Sequence, residues 1–148
     1  DWSSDVCSSD LGAVGHPRTM AWWQTQPEAW AAHRKDVQPP EQAMKALAAW
    51  ARALPGTPIF VAFPVTFDFL FVQWYLYKFG GGLPFAHSGL DIRTMAMTMN
   101  KSSWSRSTKE HLPPHWYDPL PHTHVALDDA IEQGAMFCNM LAELRGKR

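Results

Sequence analysis

The pattern of apolar and polar positions predicts helices separated by turns rich in proline and glycine. Pro39 and Pro40 indicate the start of one helix, because proline is well tolerated in a first helical turn. Pro55 and Gly56 are expected to end it. Between these points, apolar side chains recur at the spacing of an amphipathic helix, at Ala43, Leu47, Trp50 and Leu54.

A buried strand is predicted directly after this helix. Residues 59–63 read IFVAF, a short apolar run between prolines that favours a strand covered on both faces. A helix is then predicted over residues 67–79, and its side chains are so apolar that we expect the helix to lie in the core. Glycines 80–82 are expected to end it.

The second half of the chain predicts a short helix, a long loop and a long final helix. The short helix covers residues 90–99, and the serine- and proline-rich loop covers residues 101–121. The final helix covers residues 125–144, and because Cys138 lies on its apolar face, we expect a buried, inert thiol there. Its predicted apolar face consists of Leu127, Ile131, Ala135 and Cys138.

Helices around a single strand indicate an α/β fold class, but one strand is too few for a stable sheet. Further strands are therefore expected beyond those that the pattern reveals. Three tryptophans lie between residues 19 and 30, and we expect this segment to pack against the rest of the protein.

Composition narrows the class of protein. A chain of 148 residues with 46% hydrophobic residues is expected to form one domain. Its net charge of −1 excludes a broad basic surface that binds duplex nucleic acid nonspecifically. Two cysteines exclude a disulfide framework, which favours the cytoplasm. The most apolar stretch contains charged residues and Pro64, so we expect a soluble protein with no membrane partner.

The first eleven residues are interpreted as foreign to the protein. They read DWSSDVCSSDL, with no apolar period and without the basic start and apolar centre of a signal peptide. Back-translated, they resemble a DNA-sequencing adapter read in frame. We therefore predict that residues 1–11 are a disordered artefact containing a spurious Cys7, and that residues 12–148 are one domain that lacks its amino-terminal part.

Asp68, His124 and Asp129 are the candidate chemical residues. Asp68 follows the predicted strand, where α/β sheets place ligands, and Asp129 lies in the first turn of the final helix. Hydrolysis of a phosphodiester by two metal ions needs carboxylate ligands and a base for the attacking water. Each acid also has a structural explanation, Asp68 as a helix cap and Asp129, like Asp128, as a first-turn acid favoured by the helix dipole.

These residues lie in stretches that resemble a known family. HVALDDA, residues 124–130, resembles the third motif of the DEDDh-type 3′→5′ exonucleases, with His124 and Asp129 at the matching positions. FVAFPVTFDFLFVQWYL, residues 60–76, is similar to their second motif, with Asp68 at the matching position. The segments WWQTQPEAW and LDIRTMAM are similar to a bacterial branch of the family, and the resemblance covers residues 19–144.

The resemblance implies a ribonuclease H-like α/β fold, incomplete because the first strands are missing. It implies that Asp68 and Asp129 are ligands of two Mg²⁺ or Mn²⁺ ions and that His124 is the general base. The implied substrate is the 3′ end of single-stranded nucleic acid, with DNA and RNA both open. The first motif of the family, an aspartate and a glutamate two residues apart, has no counterpart, so residues 12–148 are expected to be a truncated, inactive exonuclease domain.

Two other functions and the oligomeric state stay open. The protein could be a noncatalytic module that binds a nucleic-acid end or a protein through its tryptophan segment and its loop. It could also be a zinc hydrolase, although Pro113 and Pro114 prevent a helix that would align two of the histidines. The histidines considered for zinc are His111, His115, His122 and His124. A homodimer is neither favoured nor excluded.

Overall fold

The computed structural model describes residues 14–120 and 123–146, so the predictions for residues 1–11 and for His122 lie outside the described residues. The helices are α1 (Pro17–Trp23), α2 (Pro27–Ala32), α3 (Pro40–Arg52), α4 (Val65–Phe79), α5 (Ile92–Met99) and α6 (Ala126–Leu144). The strands are β1 (Val61–Ala62) and β2 (Leu90–Asp91), and single turns of 3₁₀ helix occur at Trp104–Arg106, Lys109–His111 and Pro114–Trp116. The described part is thus mostly helical, and the ribonuclease H-like fold stays a prediction.

Helix α4 connects two short parallel strands. Val61 of β1 lies opposite Leu90 of β2, and the Leu90 N–H donates a hydrogen bond of 2.8 Å to the Phe60 carbonyl. The prediction of a five-residue strand buried on both faces is wrong, because Ile59 is 57% exposed and precedes the strand. Prolines at positions 58 and 64 confine β1, since proline has no N–H to donate to a neighbouring strand.

Asp91 joins β2 to the beginnings of two helices. Its Oδ1 caps α5 by accepting hydrogen bonds from the backbone N–H and the hydroxyl of Thr94, at 2.7 and 2.6 Å. Its Oδ2 accepts a 2.8 Å hydrogen bond from the backbone N–H of Val65, the first residue of α4. Burial raises the pKa of the Asp91 carboxyl, but the hydrogen bonds from Thr94 and Val65 and the charge of Arg93 outweigh it and lower the pKa overall.

The core has two main parts that meet near the strands. One lies between α3 and α4 and contains Met44, Ala48, Val72, Tyr75 and Leu76. The other lies between α5, the 3₁₀ turns and α6, and contains Ile92, Ala96, Leu112, Trp116, Met136 and Met140. A small cluster of Ala62, Val65 and Phe69 lies at the junction of β1 and α4.

Trp116 anchors the long loop to α6. It is 1% exposed, and its indole N–H donates a 2.6 Å hydrogen bond to Glu143 Oε2. The Asn139 side chain donates to the Trp116 carbonyl at 3.1 Å. The predicted loop is therefore a packed segment, because one buried indole and two side chains of α6 fix its path.

The predicted helices are confirmed within two residues at their starts, but their predicted apolar faces are partly wrong. Trp50 of α3 is 59% exposed, whereas Ala48 of the same helix is fully buried. Helix α4 is not buried all round, because Phe67, Leu70, Trp74 and Tyr77 are exposed along one side. Within residues 14–120 and 123–146, no helix is long and apolar enough to cross a lipid bilayer.

The predicted apolar face of α6 is also wrong. Leu127 and Ile131 are 68% and 51% exposed, and Cys138 is exposed instead of buried. Met136 and Met140 face the core. The four predicted positions share one side of α6, but an adjacent side of the helix packs against Trp116 and α5. The periodicity of the sequence therefore identified apolar residues but not the side of the helix that is buried.

Replacing Asp91 tests whether this carboxylate joins the strands to the helices. Asp91→Ala is expected to lower the free energy of unfolding by about 2 kcal/mol, since it removes a helix cap and an acceptor for Val65. Because the folded pKa is lowered, the stabilisation is present above the unfolded pKa of about 3.9 and is lost as pH falls through the folded pKa. Urea denaturation of both proteins at several pH values measures the difference.

Asp36→Asn is the control for this measurement, because Asp36 is exposed and asparagine tolerates its positive φ of 55°. We expect Asp36→Asn to match the wild type across the pH range. An Asp91→Ala protein as stable as the wild type at pH 7 would contradict the role of Asp91.

Candidate active site

Asp68 and Asp129, far apart in sequence, line one cavity. The cavity has a volume of about 290 Å³ and lies between β1, α4 and α6. Its lining consists of Phe60, Val61, Ala62, Asp68, Ile92, Ala126, Asp129, Ala130, Gln133, Gly134 and Phe137. Most of these residues are apolar, and Asp68, Asp129 and Gln133 are the polar side chains among them.

Asp68 lies in the first turn of α4. The N-cap of this helix is Pro64, and no side chain caps it, so the alternative explanation of Asp68 as a helix cap is wrong. Burial raises the pKa of the Asp68 carboxyl, and a hydrogen bond from its own backbone opposes that effect without overcoming it. Folding thus places a carboxylate where its charged form is disfavoured, as is typical of functional sites.

Asp128 and Asp129 are adjacent in sequence but differ in environment. Asp128 Oδ2 accepts a 2.6 Å hydrogen bond from the Thr123 hydroxyl, which holds the residues before α6 against its first turn. Asp129 lines the cavity, and its Oδ1 is shielded from solvent. The helical rotation of about 100° per residue explains why only one of two successive acids faces the cavity.

Gln133 is a cavity residue that the sequence patterns did not reveal. It lies one turn after Asp129 on the same side of α6, and its Oε1 accepts a 3.0 Å hydrogen bond from the backbone N–H of Phe63. This bond ties the end of β1 to α6 and so fixes the helix of Asp129 beside the strand that precedes Asp68. The available signal was the spacing of four residues from Asp129, which places two polar side chains on one helical face.

His124 is not among the described residues that line the cavity, although Ala126, two residues later, is. Its carbonyl accepts a hydrogen bond from Nε2 of His33 at 3.0 Å. Its imidazole meets the Trp22 ring edge to face, with centroids 5.0 Å apart and planes at 89°. The structure thus brings Asp68 and Asp129 together and places the His124 imidazole against α1.

The donor atoms of the cavity suit a hard divalent cation. Two carboxylates offer oxygen ligands of the kind that Mg²⁺ and Mn²⁺ prefer, and the amide oxygen of Gln133 is already bonded to Phe63. Within residues 14–120 and 123–146, no three His, Cys, Asp or Glu side chains form a metal-binding group. Asp68 and Asp129 could therefore hold an ion only if water or a substrate phosphate supplied further ligands.

The loop histidines considered for zinc have separate partners. His111 Nδ1 lies 2.8 Å from the Thr108 hydroxyl, and His115 Nε2 lies 2.7 Å from Glu143 Oε2. In the part of the chain that the structure describes, these two histidines thus belong to local contacts of the packed loop.

Comparison with known proteins gives a partial match to an exonuclease. The chain is 30% identical over 81 residues to the 3′–5′ DNA exonuclease Cap18 of Escherichia coli. The match covers 55% of this chain and 43% of that protein, so the chain spans less than half the length of this curated relative. No family model matches the chain, and no solved structure matches it significantly. The similarity suggests an exonuclease and carries no information about metal ions or about individual site residues.

Removing the charge of Asp68 is expected to stabilise the metal-free protein. Because burial raises its pKa, the charged carboxyl lowers stability above the folded pKa and does not do so below the unfolded value of about 3.9. Asp68→Asn should therefore gain a few tenths of a kcal/mol at pH 7, a small effect because the side chain is partly exposed and screened by solvent. Thermal unfolding in EDTA from pH 4 to 7 measures it.

Asp128→Asn is the matched control, because it removes a neighbouring carboxylate that accepts a hydrogen bond from Thr123. We expect this variant to lose stability instead of gaining it. A lower melting temperature for Asp68→Asn at pH 7 would show that the Asp68 charge is favourable in the folded state.

Proposed function

We propose that the chain carries part of the active site of a 3′→5′ exonuclease, an enzyme that hydrolyses the terminal phosphodiester of single-stranded nucleic acid with two Mg²⁺ or Mn²⁺ ions. The observation that carries this proposal is the shared cavity of Asp68 and Asp129. The similarity to a protein named as a 3′–5′ DNA exonuclease supports it independently and favours DNA as the substrate.

The positions of the two acids support metal-assisted hydrolysis. Asp68 and Asp129 lie in the first turns of α4 and α6, so each carboxylate is held by a regular element. Bound divalent ions would polarise the scissile phosphate and make an attacking water more acidic. The amino-terminal ends of the two helices also carry partial positive charge, which favours a phosphate nearby.

His124 is the proposed general base. A base must come within hydrogen-bonding distance of the water that it deprotonates, and imidazole groups titrate near neutral pH. The imidazole of His124 contacts Trp22 and is not part of the cavity lining, so it must move to reach a water bound there.

The described cavity supplies too few ligands for two ions. Each Mg²⁺ takes about six oxygen ligands, and two-metal sites use several carboxylates to hold the ions about 4 Å apart. Two aspartates therefore form half of such a site. We propose that the 148-residue chain binds a divalent ion weakly and has no exonuclease activity by itself.

A second candidate function is a noncatalytic module that binds a nucleic-acid end. Trp104 is 53% exposed, and the guanidinium of Arg93 stacks 3.8 Å from the centre of its ring. An exposed indole beside a cation can stack on an unpaired base and attract its phosphate. This function needs Trp104 and is indifferent to Asp68 and Asp129.

Metal binding distinguishes the two functions. Titration with Mn²⁺, followed by the electron paramagnetic resonance of the free ion, is expected to show weak binding to the wild type. Asp68→Asn and Asp129→Asn should each weaken it at least tenfold, because each removes one of two charged ligands. Asp128→Asn should bind as the wild type does. Equal binding by all four proteins would rule out the carboxylate pair as the ion site.

Exonuclease activity is tested with a single-stranded DNA oligonucleotide labelled at its 5′ end. In Mg²⁺, the 148-residue chain is expected to leave the oligonucleotide at full length, because the ligand set is incomplete. A ladder of shortened products that disappears in Asp129→Asn would mean that the two described acids suffice for catalysis. A ladder that persists in that variant would come from a contaminating nuclease.

A further inference from the structure

A second cavity lies between helices α1 and α2, in the segment rich in tryptophan. It has a volume of about 330 Å³, somewhat more than the cavity of the two acids. We call it the tryptophan pocket, and its lining consists of Met20, Trp23, Gln24, Pro27 and Trp30. Cavities that bind small groups are mostly apolar and have volumes from about 300 Å³ upward. The tryptophan pocket therefore has the size and the lining of a binding site, and the proposed function does not use it.

Packing holds the walls of the tryptophan pocket in place. The Trp23 indole is 4% exposed, and its centroid lies 4.9 Å from that of Trp22 and 5.0 Å from that of His33. It also packs against Trp30, with centroids 5.7 Å apart and planes at 45°. The Thr25 hydroxyl donates a 2.7 Å hydrogen bond to the Trp22 carbonyl and fixes the turn between α1 and α2. Because the walls are already ordered, a ligand binds at a smaller cost in conformational entropy.

The lining of the tryptophan pocket selects a flat, uncharged group. Two indoles and a proline ring provide flat apolar surfaces, and none of the five lining side chains is charged. A charged group would lose its hydration there without gaining a partner of opposite charge. The amide of Gln24, an exposed residue, offers a donor and an acceptor of the kind that bind the edge of a nucleobase. Aromatic side chains bind unpaired bases of any sequence by stacking, so an unpaired nucleobase fits the lining.

A positive charge lies beside the tryptophan pocket. The guanidinium of Arg34 stacks on Trp30, 3.9 Å from the centre of its ring. Guanidinium groups are preferred partners of phosphate, and a nucleobase in a strand is joined to a phosphate through its sugar. Glu28, an acid of the same segment, lines a neighbouring cavity instead of the pocket. The charges thus favour a nucleotide over an aromatic ligand that carries no phosphate.

The tryptophan pocket is continuous with the beginning of α6, the helix that carries Asp129. A further cavity, of about 220 Å³, shares Pro27 with the pocket and extends to Thr123. The Thr123 hydroxyl donates a hydrogen bond to Asp128 in the first turn of α6. Asp129, the next residue, lines the cavity of the two acids. The structure thus offers a site for a base beside the helix that carries one of the proposed metal ligands.

We propose that the tryptophan pocket binds one unpaired base of a single-stranded nucleic acid, with the base against Trp23 and Trp30 and its phosphate at Arg34. That this base belongs to a strand whose 3′ end lies at the cavity of the two acids rests on the proposed function, but the pocket itself needs neither acid. The pocket favours single strands over duplexes, because a paired base must leave its stack before it can enter.

The experiment titrates the whole 148-residue chain, isotope-labelled and in EDTA, with a short single strand of thymidylate. In the wild type, the Met20 methyl signal and the indole N–H signals of Trp23 and Trp30 should shift, because a base in the pocket changes the ring currents around them. A strand of the same length with abasic sites carries the same phosphates and should leave these signals in place. Equal shifts with both strands would overturn the inference, since charge alone would then explain the binding.

Variants distinguish the tryptophan pocket from other exposed indoles and from general charge effects. Trp30→Leu should weaken binding of the thymidylate strand at least fivefold, because it removes a stacking surface. Gln24→Glu should weaken binding at least threefold, because it places a negative charge at the pocket. Trp50→Leu, which removes a 59% exposed indole of α3, and Gln42→Glu, at an exposed position of α3, are the matched controls and should bind as the wild type does. If Trp30→Leu does not fold, the comparison of Gln24→Glu with Gln42→Glu carries the test.

The outcomes separate this inference from both candidate functions. If the strand shifts no signal of the pocket while Mn²⁺ binds at Asp68 and Asp129, the inference is overturned and the proposed ion site stands. If the pocket signals shift but neither acid affects Mn²⁺ binding, the pocket stands and the proposed ion site fails. If Trp104→Leu abolishes binding and Trp30→Leu does not, the strand binds at Trp104 and the inference is overturned. A proline-rich peptide that shifts the pocket signals when the strand does not would make the pocket a peptide site and overturn it as well.

Discussion

The structure depends on the three hydrogen bonds that the Asp91 carboxylate accepts. They cap α5 and fix the first residue of α4, Val65, at the end of the parallel pair of strands. Asp68 follows Val65 within the same helical turn, so the position of the cavity carboxylate depends on a carboxylate outside the cavity. Two strands of two residues each contribute little by themselves, and the acid that links them to the helices gives the junction its geometry.

The parts that the sequence predicted are those fixed by local chemistry. Helix α3 ends at Arg52, shortly before a proline-glycine pair, and α4 ends at Phe79, directly before three glycines, and neither sequence continues a helix at low cost. Asp68 follows a strand and Asp129 lies in the first turn of a helix, positions that α/β folds bring to the same edge of a sheet. Their common cavity follows from this order of elements and not from any single residue.

The parts that the sequence did not predict depend on contacts between distant residues. Strand β2 has two residues and leads directly into a helix, so its pattern of apolar residues cannot be distinguished from that of α5. Contacts with Trp116 and α5 determine which side of α6 is buried, and they leave Leu127 and Ile131 exposed. The placement of His124 depends on His33, 91 residues earlier in the chain, and no periodicity connects the two.

The site divides into acids on regular elements and a histidine outside them. Helical backbone hydrogen bonds hold Asp68 and Asp129, so an ion bound between them would meet ligands that need little rearrangement. His124 lies before α6, where a rotation about χ1 redirects the imidazole while the helix stays in place. In the proposed function, the two acids on helices would hold an ion with little rearrangement, and the proposed base outside the helices would have to turn toward it.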